Sequence, residues 1–190
     1  MRDINSRSPS TRFLLRLPAA LHRLVLDRAE RRGLSLNEYI TRRLAGPEAQ
    51  ASVEALTPVL LARARAVAGA HVVGAILHGS WTRGEARSTS DVDALIVVNG
   101  NVPLTRALYR KWDEEPMVWE GRTVDVHFAH LPRSVAKAGS VWCEAAIEGQ
   151  LLADTDGRLE RALRDIRRAI ADGQLVRKRI HGQPYWTVAA

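Results

Sequence analysis

Three carboxylates are the residues of this sequence best suited to chemistry. Asp91 and Asp93 open the run Asp91-Val92-Asp93-Ala94-Leu95-Ile96-Val97-Val98, and Asp125 interrupts a second, Thr123-Val124-Asp125-Val126-His127-Phe128. Two residues apart on a strand, Asp91 and Asp93 point to one face. Acids on strands near the centre of a sheet are costly unless cations offset them. Two magnesium ions would set four positive charges against three negative ones, with manganese as the alternative. Magnesium takes oxygen ligands and shares them with substrate phosphates. Two such ions, roughly 4 Å apart, activate an attacking oxygen and stabilise a leaving one. Twelve residues before Asp91, Gly79 lets a backbone approach a phosphate without a side chain in the way. Ser80 and nearby backbone N–H groups can hold that phosphate.

The elements that must position these groups are legible from periodicity. Val72-Val73-Gly74-Ala75-Ile76-Leu77-His78 reads as a buried strand ending at Gly79-Ser80, followed by a polar loop with Arg83, Gly84, Glu85 and Arg87. Asp91 to Val98 reads as a second strand. Met117-Val118-Trp119 and Thr123 to Phe128 flank Glu120-Gly121-Arg122 as in a hairpin. Thr57-Pro58 suits an N-cap and first helical position, with the helix continuing from Val59 to Ala68. A C-terminal helix starts at Asp156 as N-cap. Leu159, Leu163, Ile166 and Ile170 face inward, and Arg158, Arg161, Arg164 and Arg168 mostly outward. The fold class is α/β (α+β), with a mixed sheet. His127 shares a strand face with Asp125, while His130 falls past the strand end and His78 packs at one. Cys143, the single cysteine, reads as a buried thiol rather than a nucleophile. It excludes an internal disulfide framework and a cysteine zinc cage.

Together, Gly79-Ser80, Asp91-Val92-Asp93 and the later Asp125 resemble the nucleotidyltransferase superfamily of the DNA polymerase beta type. More narrowly, His78-Gly79-Ser80-Trp81-Thr82-Arg83-Gly84 and Ser90-Asp91-Val92-Asp93-Ala94-Leu95-Ile96-Val97 are similar to minimal nucleotidyltransferases, over about residues 53–170. That group includes antitoxins paired with HEPN toxins, MenA/MenT-like toxins and aminoglycoside adenylyltransferases. The resemblance implies that Asp91 and Asp93 bind both metals and that Asp125 completes the site. It further implies that Gly79 and Ser80 hold the triphosphate of the donor, ATP foremost. Arg83 matches a recurrent basic position that touches phosphate, with Arg87 a weaker candidate.

Ahead of this domain lies a different composition. Ten arginines against four acids fall in residues 1–46, and eight basic residues against three acids in residues 157–190. The segment between them is acidic. Ala45-Gly46-Pro47-Glu48-Ala49-Gln50-Ala51-Ser52 reads as a seam, which divides the chain into 1–46, a linker 47–52 and a domain 53–190. In Arg12-Phe13-Leu14-Leu15-Arg16-Leu17, Phe13, Leu15 and Leu17 share one strand face, and Arg12, Leu14 and Arg16 the other. A helix after Pro18 carries Leu21, Leu24, Val25 and Ala29 and is capped by Gly33. Ser35-Leu36-Asn37-Glu38 is a capping box, with Leu34 stapled onto Tyr39. A lone strand needs a partner, and a second copy would supply it. The resulting two-stranded ribbon fits the major groove of DNA.

Residues 10–45 resemble a ribbon-helix-helix domain of the HicB and Arc-like kind. The resemblance implies a homodimer in which Arg12, Leu14 and Arg16 read operator bases while Ser35, Leu36 and Asn37 anchor the DNA backbone. A dimerisation module without DNA is the alternative.

The chain of 190 residues has room for one ordinary or two small domains. It lacks a membrane-length apolar run and a secretory start, which points to a cytoplasmic chain with no membrane partner. The stretch from Arg177 to Trp186 mixes basic and aromatic residues, which can grip RNA. Alternatively, Tyr185 and Trp186 pack on the body. The leading function is metal-dependent transfer of a nucleoside monophosphate to a hydroxyl of a partner toxin protein or a tRNA, in a toxin–antitoxin setting. A catalytically silent DNA-binding regulator and an aminoglycoside-type enzyme are the alternatives.

Overall fold

The computed structural model of the chain describes residues 15–31, 34–44, 46–82, 90–180 and 183–189. Its centre is a five-stranded mixed sheet of order β3-β4-β2-β1-β5. The strands are β1 (Val72–His78), β2 (Val92–Val98), β3 (Val118–Trp119), β4 (Arg122–His130) and β5 (Gln150–Asp154). β1 pairs antiparallel with both β2 and β5, β2 runs parallel to β4, and β3 closes a hairpin onto β4. The hairpin turns on Glu120 and Gly121, both at positive φ. That is the turn whose twist matches flanking strands.

The continuous apolar runs of β1 and β2 follow from burial on both faces. On one face, Leu56, Leu60 and Ala64 of α3 (Gly46–Ala68) and Leu108 and Trp112 of α4 (Arg106–Asp113) meet Ala75, Leu77, Ala94, Ile96 and Phe128. Phe128 also stands edge-on to the rings of Tyr109 and Trp112. On the other face, Trp142 and Ala146 of α5 (Ser140–Glu148) and Leu159, Leu163 and Ile166 of α6 (Arg158–Ala171) meet Val73, Ile76, Leu95 and Val97. β4 differs at its start. Val124, Val126 and Phe128 are buried, whereas Thr123, Asp125 and His127 are exposed. The helices of the second face therefore stop short of this corner, and the acid Asp125 stands in it.

At the N-terminal end of the chain, α1 (Ala19–Glu30) and α2 (Leu36–Leu44) form a helical pair around Ala29, Leu34, Tyr39 and Val25. The Ser35 hydroxyl accepts the Glu38 N–H at 3.0 Å, as a capping box requires. Against α5 and α6, β6 (Leu175–Ile180) and β7 (Gln183–Val188) make a separate two-stranded ribbon. Trp186 Nε1 donates to Glu144 Oε1 at 2.9 Å, and Arg177 Nη2 reaches the same oxygen at 3.1 Å. The body-packing reading therefore holds for Trp186. Among the described residues no helix is long and apolar enough to cross a membrane.

Several expectations are corrected. The stretch 47–52 is helical, because Pro47 stands in the first turn of α3, where a missing N–H costs nothing. Thr57-Pro58 lies inside α3 rather than starting it. Thr57 turns its hydroxyl back to the Val53 carbonyl at 2.8 Å. Gly157, not Asp156, is the N-cap position of α6. Two aspartates share the capping, since Asp154 accepts the N–H groups of Gly157 and Glu160, and Asp156 that of Arg158. The Arg158 backbone N–H, followed by its side chain and charge, lowers the Asp156 pKa. Arg164 is half-buried rather than outward, and His130 is the last residue of β4 rather than beyond it. Residues 15–17 form no strand in this single chain. A ladder needs a second strand to accept its hydrogen bonds.

Candidate active site

The sheet brings two of the three acids into direct register. Asp93 pairs with Asp125 across the parallel strands β2 and β4, and His78 pairs with Asp93 across β1 and β2. Registered neighbours in a sheet share a face. Asp93 is half-buried, and Asp91 and Asp125 are exposed. Asp91 sits one residue before β2 and, by alternation, on the Asp93 side.

At the end of β1, Gly79 takes φ +79°, and a Cβ built there would collide with the Asp93 carboxylate. The turn is held by Thr82, a buried residue whose Oγ1 donates to the Gly79 carbonyl at 3.1 Å. Ser80 is half-buried beside it. Arg122, the first residue of β4, lays its guanidinium 5.3 Å from the Trp81 ring centroid and donates through Nη1 to the Ser90 carbonyl at 3.1 Å. Trp81 follows Ser80 and Ser90 precedes Asp91, so one arginine of β4 reaches both residues. Arg122→Ala is expected to lower stability by about 1–3 kcal/mol in denaturant unfolding, from the lost charged hydrogen bond and ring contact.

The donor set is all oxygen, as magnesium or manganese requires. The absence of a side chain at Gly79 lets the Asp93 carboxylate lie directly against the turn. Among the described residues, no three His, Cys, Asp or Glu side chains already stand together as a metal cage. Register sets Asp93 beside Asp125.

Other expected residues fall as follows. His127 is exposed on the Asp125 side, next to Leu95 in register. His130 lies at the opposite end of β4, where its Nε2 meets the Val102 carbonyl at 2.8 Å. Cys143 is fully buried, and burial, then Glu144, raises its pKa to about 11, which fits an inert thiol. In the front module, Arg16 and Asn37 are exposed, Leu36 is half-buried, and Ser35 is buried with its hydroxyl spent on the cap. Arg12, Leu14, Arg83 and Arg87 lie outside the described residues. Trp81 and Thr82 stand in the motif after β1 and Arg122 in the hairpin turn, but their sequence positions give none of the three a role of its own.

Residues 62–141, which include Gly79, Ser80, Asp91, Asp93 and Asp125, match the nucleotidyltransferase domain family. Residues 5–44 match the HicB family. A stretch similar to nucleotidyltransferase domains thus follows a stretch similar to the HicB family. No curated protein matches the chain. Among solved structures it is similar to one described as a toxin-antitoxin with AMP-PNP, at 17% identity over 60% of this chain and 86% of that one, with a TM-score of 0.40.

Proposed function

We propose that the chain moves a nucleoside monophosphate, AMP from ATP first of all, onto an acceptor hydroxyl. The acceptor hydroxyl gives up its proton to solvent as its oxygen bonds to the α-phosphorus, the α–β phosphoanhydride bond breaks, and pyrophosphate leaves with that bond's electron pair. The observation that carries this reading is the registered pair Asp93 and Asp125 at the open corner of the sheet, with Gly79 seated against Asp93. Asp91, Asp93 and Asp125 would hold the magnesium or manganese ions. When bound, these ions neutralise phosphate charge and lower the pKa of the acceptor hydroxyl. Gly79 admits the triphosphate, Ser80 holds it, and Arg83 adds a positive charge. Thr82 and Arg122 keep the cradle in shape.

The acceptor class is a hydroxyl of a partner toxin protein, such as a HEPN-type toxin, or of a tRNA, in a toxin–antitoxin setting in the cytoplasm. The HicB-family segment makes the chain a homodimer and presents Arg12, Leu14 and Arg16 to operator DNA. In support, Leu21, Leu24 and Leu26 of α1 and Leu44 of α2 are exposed, Leu44 by 73%. Such apolar surface on a small module invites a second copy.

The test uses the full chain with α-labelled ATP and a lysate fraction of protein or tRNA. Label is expected to transfer with magnesium present and to stop on chelation. Absence of both transfer and magnesium-dependent ATP binding would leave the DNA-binding regulator as the better reading.

A further inference from the structure

Glu38 is a charged residue in a position its own helix does not explain. It is only 5% exposed, although it sits at the third position of a short helix in a small front module. Burying a carboxylate costs several kcal/mol unless partners offset it. Its backbone N–H is already satisfied by Ser35. Its carboxylate instead leaves the module, and Oε1 accepts the N–H of Leu151 at 3.2 Å, across 113 residues of sequence. Leu151 belongs to β5, the edge strand beyond β1. An edge strand presents unpaired N–H groups, and Glu38 covers one of them.

The covered point lies close to the nucleotide cradle. Leu151 pairs with Ile76 and Gln150 with Leu77, where β5 is also bulged. The residue before them, Gly149, is packed so closely that an added Cβ would strike the Ala145 carbonyl and come within 2.8 Å of Ile76 Cγ2. Ile76 precedes Gly79 by three residues, roughly 10 Å along the strand. On the other side of Glu38, the half-buried Arg167 of α6 donates to the Ala146 carbonyl at 3.3 Å. Burial lowers the Arg167 pKa, and Glu38 and then Glu160 draw it back up, which places the Glu38 charge near the guanidinium. The N-terminal module is thus joined through one buried carboxylate to β5, and through β5 to the last residues of β1.

We propose that Glu38 is a positioning residue for nucleotide binding: by holding the Leu151 N–H, it lets the HicB-family module brace the strand that ends in the Gly79-Ser80 cradle. This deepens the nucleotidyltransferase reading and rests on it. The module then has a task inside its own chain, apart from any contact with DNA or a second copy. Its docked state sets the affinity for nucleotide.

The experiment compares Glu38→Asp, Glu38→Gln and Glu38→Ala in the full chain. Magnesium–ATP titration and steady-state transfer are read alongside hydrogen exchange at the Leu151 amide. Aspartate keeps the charge and suits a helix start, yet its side chain is too short for Leu151. Glutamine keeps the reach and an acceptor oxygen. Glu38→Asp and Glu38→Ala are expected to speed Leu151 exchange and raise the ATP Kd and KM about tenfold with little change in kcat, the scale of one lost hydrogen bond to a charged acceptor. Glu38→Gln is expected to stay within about twofold of wild type. ATP affinity that survives Glu38→Asp unchanged, or a Glu38→Gln as weak as Glu38→Ala, overturns the positioning role. A wild-type chain that binds no magnesium–ATP overturns the nucleotidyltransferase reading beneath it. The two failures are therefore told apart.

Discussion

Asp93→Asn is expected to lower nucleotidyl transfer by on the order of 10³-fold while the protein stays folded, a loss comparable to removing a preorganised electrostatic contact at a reacting centre. Asparagine has the shape of aspartate, so the packing of Gly79 against residue 93 survives. What disappears is the negative charge at the residue that faces Asp125 in register on one side and His78 on the other. A neutral amide is a poor ligand for magnesium, which favours carboxylate and phosphate oxygens. Labelled-nucleotide transfer measures the loss, and thermal unfolding checks the fold. Transfer within tenfold of wild type would show that Asp93 does not take part, and the registered acid pair would lose its catalytic meaning.

Gly79→Ala is expected to be nearly as damaging to transfer, roughly 10²-fold or more, for a steric reason rather than an electrostatic one. Two penalties coincide there. The backbone sits at φ +79°, which costs an alanine about 1–2 kcal/mol. The new Cβ also meets the Asp93 carboxylate, so the carboxylate or the turn must move. A control separates the two penalties. Gly173 has φ +72°, but nothing lies within 4 Å of a Cβ built on it. Gly173→Ala is expected to lose a similar amount of stability in denaturant unfolding and to keep full transfer. If Gly79→Ala behaved like Gly173→Ala, the close approach between Gly79 and Asp93 would carry no function.

The contrast between these two glycines shows where sequence reading succeeded and where it ran short. Val72 to His78 and Asp91 to Val98 were recognisable as strands because side-chain alternation and apolar continuity are local properties. The same holds for the hairpin around Gly121 and for the Ser35 cap on the Glu38 N–H, although the Glu38 carboxylate goes to Leu151 instead of closing the capping box. Thr57-Pro58 misled for a physical reason. The pair has the residue types of a helix start, but the apolar stripe of Val53, Leu56, Leu60 and Ala64 runs through it, and burying that stripe outweighs the one backbone hydrogen bond a proline removes. The 47–52 stretch misled similarly, since Glu, Ala and Gln favour helix once Pro47 stands in the first turn. For α6, the pattern offered Asp156 as the cap, whereas position in space made Asp154 a capping partner as well.

From residue types and spacing alone came the strands that carry Asp93 and Asp125, the glycine turn after β1 and the mixed α/β class, because each depends on contacts within a strand or a turn. The pairing of Asp93 with Asp125, the open corner that exposes them, the Arg122 tie to Trp81 and Ser90, and the reach of Glu38 to Leu151 came from the folded chain. These depend on which strands lie side by side and in what register, and that is settled by packing both faces of one sheet at once rather than by any short stretch of residues.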